Sequence, residues 1–140
     1  MILRTHNEYT HSRNTQELIK WQRTEELKIR FKAWAIQGIL FTRKLSHEPE
    51  FKAIRNQMVR CMPACAVNYR SACRAKSNAD FINKLKIVEE ELDESMFWLE
   101  FVQELIPDLS NVVKPIHKEA NELISITIAS INTLRKYQKS

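Results

Sequence analysis

Apolar residues recur three and four positions apart along most of the chain, which is the period of one helix face. Leu27, Phe31, Trp34, Phe41 and Leu45 share such a face in a first stretch, and Ile54, Met58, Met62, Cys65 and Tyr69 share one in a second. A third stretch contributes Phe81, Leu85, Val88, Leu92 and Leu99. A fourth contributes Leu109, Val113, Ile116, Ala120, Leu123, Thr127, Ile131 and Leu134.

Punctuation residues set the expected boundaries. Residues 1–14 are polar and patternless and read as a flexible N-terminal arm ahead of one domain over residues 15–138. Helix 1 is expected from Thr15 or Gln16 to Leu45, where Ser46-His47-Glu48-Pro49 ends it and places Pro at the start of helix 2, expected over Pro49 to Lys76. Ser77 or Asn78 caps helix 3, which has Asp80 in its first turn and runs to Ile106. Pro107-Asp108 makes the next break, Ser110 is a candidate cap, and helix 4 continues to about Tyr137. Pro115 is tolerable in the first turns of helix 4, whereas Pro63 falls inside helix 2 and is expected to kink it. Four long helices joined by short loops predict an all-α, up-down-up-down antiparallel four-helix bundle.

Two helices carry a second apolar strip. Leu18, Ile29, Ile36 and Leu40 lie roughly opposite the core strip of helix 1, and Ile87, Trp98, Phe101 and Leu105 lie beside that of helix 3. A bundle helix that touches two neighbours has a broad apolar face; a self-associating one has an exposed patch to hide. On the second reading these eight residues form an oligomer interface.

Composition narrows the function classes. One Gly and four Pro in 140 residues leave too few turn formers for a sandwich or barrel, and neither a Walker loop nor a dinucleotide fingerprint can be written around Gly38 alone. The first ten residues hold no apolar stretch of signal-peptide length and no run approaches a membrane span, so the expected location is cytoplasmic, with no membrane partner. Helix 1 alone has the look of a basic membrane-surface helix, but Glu25, Glu26 and its second strip fit a bundle better. Cys61, Cys65 and Cys73 are odd in number and close together, which favours reduced thiols in the core over a disulfide framework or a zinc site.

The formal net charge of +5 conceals a separation. Residues 1–47 hold 9 Lys/Arg and 4 Asp/Glu, residues 48–76 hold 6 and 2, residues 77–107 hold 2 and 8, and residues 108–140 hold 5 and 3. Helix 3 is therefore acidic and helices 1 and 2 basic. Lys52, Arg60, Arg70 and Arg74 project from one arc of helix 2, away from its apolar face, with Arg55 at the edge. Such a stripe suits sequence-blind contact with RNA or DNA phosphates; it equally suits a solvated face or salt bridges to the acidic helix of a neighbouring subunit. The run Glu89, Glu90, Glu91, Asp93, Glu94 suggests metal chemistry, yet none of His6, His11, His47 or His117 stands in the Glu-x-x-His element of a di-iron bundle or in a zincin motif. No activated nucleophile is recognisable either. The expectation is a protein without catalytic residues, metal or cofactor.

At the junction of helices 2 and 3 the stretch NYRSACRAKSNADFINKLKIVEEELDESMFWLEFVQE, Asn68 to Glu104, closely resembles the four-helix-bundle proteins known as 23S rRNA intervening-sequence proteins. Asn56-Gln57-Met58-Val59-Arg60 is similar to that family's Asn-Gln-hydrophobic-hydrophobic-Arg element, and the likeness extends over about residues 15–138. The resemblance implies a homopentamer. A related bundle, the accessory variability determinant of diversity-generating retroelements, binds nucleic acid together with a reverse transcriptase, so the resemblance also implies nucleic-acid contact and an accessory role beside such a protein. The chain departs from the family pattern at Cys61-Met62-Pro63-Ala64-Cys65, where many members are Gly/Ser/Thr-rich, and at Ser71, where many have Glu. A protein-interaction scaffold with no nucleic-acid role is the alternative of a different class.

Overall fold

The computed structural model describes the backbone of residues 2–138, with side chains at residues 18, 20 and 22–137. It is all-helical over these residues: α1 spans Ile2–Thr42, α2 Pro49–Ala72, α3 Asn78–Leu105 and α4 Ser110–Gln138, with a single 3-10 turn at Pro107–Leu109. Each helix packs on the next in sequence, and α1 also meets α4.

The boundaries follow local chemistry. Ser77 sits at the α3 N-cap in extended backbone and accepts a hydrogen bond from Asp80 N at 3.1 Å, while the Asp80 carboxylate accepts one from Lys76 N at 3.3 Å. The first bond satisfies a free N–H of the helix start, and the second holds the N–H of the residue just before the cap. Pro49 opens α2 where its missing N–H costs nothing, and α2 continues through Pro63 without a break in the helix.

Three boundaries differ from expectation by more than one residue. α1 is helical in backbone from Ile2, where the sequence reading placed an arm over 1–14 and a start at Thr15 or Gln16; that segment holds no Gly or Pro to stop a helix. α1 stops at Thr42 rather than Leu45, because the next residues tighten into i to i−3 bonds from Arg43, Lys44 and Leu45 N to Leu40, Phe41 and Thr42 O. α2 ends at Ala72 rather than Lys76 for the same reason: Arg74 N and Ala75 N bond to Ser71 O and Ala72 O, closing the chain toward the α3 cap.

The core forms from the faces the period predicts. Phe31, Trp34, Met58, Met62, Leu85, Leu92, Leu99, Ile116 and Leu123 are fully buried. Leu27, Phe81, Leu109 and Leu134 are only partly buried against it, whereas Phe51, Ile82 and Val102 join it without having been singled out; of the three cysteines expected in the core, Cys61 and Cys65 are fully buried and Cys73 packs against it partly buried. Phe31 stacks on Tyr69 with ring centroids 4.6 Å apart, and the buried Trp34 satisfies its indole by donating to Ile116 O at 3.0 Å. The buried hydroxyls of Ser95 and Thr127 donate to Glu91 O and Leu123 O one turn back, at 2.7 and 2.8 Å. Gly38 is buried against Met62, so α1 and α2 approach closely there.

Candidate functional surface

The basic stripe on α2 divides into two sets. Arg55 turns back onto the end of α1, its Nε donating to Thr42 O at 3.3 Å and its Nη2 to Leu45 O and Ser46 O at 3.1 and 2.9 Å. Thr42 O also accepts from Leu45 N, whereas Leu45 O and Ser46 O lie past the last turn of α1, and no C-terminal Gly is present there, so the guanidinium caps the end of α1. Arg60 reaches across to α3 of the same chain, with Nη1 3.3 Å from Glu91 Oε2 and Nη2 bonded to Glu94. The Glu94 hydrogen bond raises the already high pKa of Arg60. Lys52, Arg70 and Arg74 are exposed and make no side-chain ion pair with a described residue. They share the outward face of α2 with Val59 and Val67, two exposed apolar residues that the charge pattern gave no reason to notice.

The second apolar strips are exposed on the surface. Leu18, Ile29, Ile36 and Leu40 on α1 are each at least half exposed, and Ile87, Phe101 and Leu105 on α3 are more than two-fifths exposed. Trp98 is partly buried against the core instead, where it meets Phe97 and Phe101 edge-on at 5.1 and 5.7 Å between centroids. Phe97, missed in the sequence, is 53% exposed and takes the outward place in this aromatic group. Its position one turn before Phe101 on the same face was the available signal.

The remaining polar groups are dispersed. Arg30 on α1 bridges to Glu119 and Glu122 on α4, with Nη2 2.9 Å from Glu122 Oε2. His117 Nε2 lies 3.5 Å from Glu100 Oε1 in a shallow cleft between α3 and α4 that Lys114, Lys118 and Glu104 also line. Burial pushes the Cys61 and Cys65 thiols up, more than the nearby Ser95 hydroxyl lowers them, and Cys73 is raised by burial too. Among the described residues no group of three or more His, Cys, Asp and Glu side chains is arranged to hold a metal ion, and no helix is long and apolar enough to cross a membrane.

The class defined by these features is a four-helix fold with charged and apolar outer faces. No family model matches the chain, and no curated protein is similar to it. Among solved structures the chain is similar to a protein of unknown function from the S23 ribosomal protein family of Bacteroides thetaiotaomicron VPI-5482, with 27% identity and a TM-score of 0.69. The match covers 75% of this chain and 97% of the other.

Proposed function

We propose that the protein is an up-down-up-down antiparallel four-helix bundle that works without catalysis, as a homo-oligomer, by binding RNA or DNA backbone. The antiparallel course is supported by pairings whose numbers fall on α1 as they rise on its neighbours: Leu45 with Arg55, Gly38 with Met62, Phe31 with Tyr69, and Trp34 with Ile116 against Arg30 with Glu119. The non-enzymatic reading is supported by thiols that burial keeps protonated and by titratable groups engaged in ion pairs. Self-association is supported by the exposed aliphatic and aromatic residues on α1 and α3, and the number five belongs to the resemblance noted above.

The observation that carries the nucleic-acid reading is the set Lys52, Arg70 and Arg74, three cations on one outward face with no ion-pair partner among the described residues. The structural neighbour's description as a member of a ribosomal protein family is in keeping with it. An accessory role beside a reverse transcriptase draws no support from that neighbour. Labelled RNA and DNA titrated at two salt concentrations test the reading. Binding is expected to weaken with salt and to be abolished by the triple change Lys52→Glu, Arg70→Glu, Arg74→Glu; unaltered binding by that variant overturns it. The scaffold alternative is favoured by Arg55 and Arg60, which serve the fold. It predicts no binding even at low salt.

A further inference from the structure

The inference rests on the homo-oligomer reading and concerns which faces meet. α1 touches α2 and α4, α3 touches the same two helices, and no contact joins α1 to α3 among the described residues. The two helices therefore stand at opposite corners of the molecule. At about 100° per residue, Ile29, Ile36 and Leu40 fall opposite the side α1 gives to the core, and Phe97 and Phe101 fall opposite the side α3 gives to it. The exposed strips accordingly point in opposite directions. A two-fold dimer needs one self-complementary patch, whereas a molecule with two apolar faces back to back is built for head-to-tail contact.

Charge decides between pairing like faces and pairing unlike ones. Beside the α1 strip stand the exposed Lys32, Arg43 and Lys44, against Glu26 of the opposite sign; beside the α3 strip stand the exposed Glu90, Asp93 and Glu104, against Lys86. None of these side chains makes an ion pair with a described residue. Two α3 faces together set carboxylates against carboxylates, and two α1 faces set cations against cations. Only the crossed arrangement opposes unlike charges around an apolar centre. We propose that the α1 strip of one copy docks on the α3 strip of the next, with Lys32, Arg43 and Lys44 facing Glu90, Asp93 and Glu104, so that the assembly propagates head to tail.

Two variants, each disabled at one face, test this: Ile36→Glu on α1 and Phe101→Glu on α3. Both positions are exposed, so the helical circular dichroism is expected to be unchanged. In size-exclusion chromatography with light scattering the wild type is expected to run as an oligomer and each variant alone as a monomer. An equimolar mixture is expected to give a one-to-one dimer and nothing larger, because one intact α1 face then meets one intact α3 face. A variant that dimerises alone shows like faces pairing and overturns the proposal, as does a mixture that stays monomeric while the wild type is oligomeric. A monomeric wild type overturns the homo-oligomer reading itself.

Discussion

Gly38, the single glycine of the chain, has ordinary helical backbone and no turn to make. Its place is explained by Met62: a Cβ added at residue 38 falls inside contact distance of the Met62 methyl and 2.5 Å from its sulfur. Alanine gains about 1 kcal/mol over glycine inside a helix, but forcing a fully buried side chain to repack costs about 1–3 kcal/mol, so the clash outweighs the propensity. Gly38→Ala is expected to lower the unfolding free energy by about 1 kcal/mol in urea titrations. In a Met62→Ala background the same change is expected to be neutral or stabilising, since the atoms in the way are gone; equal costs in the two backgrounds exclude the close approach as the reason. Glycine scarcity was legible in the sequence as a sign of uninterrupted helices, but the close approach was not, because it depends on which residue of α2 lies across from residue 38. The same limit separates the stripe residues. Helical period put Arg55 and Arg60 on the basic side of α2, and only the packing of α1 and α3 on either flank turned them into a cap and a bridge.

At the scale of the element, what was legible had a local cause. The Ser77 cap, the Pro49 start and the Pro107 break each act within four residues, and they stand where the sequence placed them. The ends of α1 and α2 were misjudged because their tightening into i to i−3 turns depends on where the chain must go next. The α3 cap yields a prediction whose sign can be worked out. The backbone N–H of Lys76, and after it the Lys84 ammonium at 3.2 Å, hold the Asp80 carboxyl below the usual carboxylate range. A group whose pKa is depressed by folding adds stability above its unfolded value, near pH 4, and loses it as pH falls through the lower folded value. Asp80→Asn is therefore expected to be less stable than wild type at pH 7, with the difference shrinking as the pH is lowered toward about 3 in denaturation measured across pH. A constant difference over that range argues against the charge. Ser77→Ala, which removes the other half of the cap, is expected to cost about 1 kcal/mol at any pH.

For the whole molecule, the proposed assembly and the proposed nucleic-acid contact are one problem, because the outward face of α2 offers only three unpaired cations per copy among the described residues. Lys52, Arg70 and Arg74 can neutralise about three phosphates on one copy, and each phosphate contributes about 0.9 to the slope of log affinity against log salt on duplex DNA. On the proposed reading a single copy is expected to show a slope no steeper than about 3 and weak affinity at physiological salt. In the proposed head-to-tail assembly the α2 face would repeat at fixed intervals, so that a strand engaged by one copy would meet the next at high effective concentration. Phe101→Glu leaves all three cations in place and lies on a different helix. If the copies act together, this variant is expected to bind the same RNA or DNA at least about tenfold more weakly than wild type, with a salt slope reduced toward the single-copy value. Fluorescence anisotropy on a fixed strand, long enough to span several copies and measured at three or more salt concentrations, reads both quantities. A Phe101→Glu monomer that keeps the wild-type affinity and slope would show that each copy binds by itself and that assembly serves some other end. If affinity falls while the slope stays constant, the loss lies in contacts other than phosphate, and the exposed Val59 and Val67 beside the cations become the residues to change next.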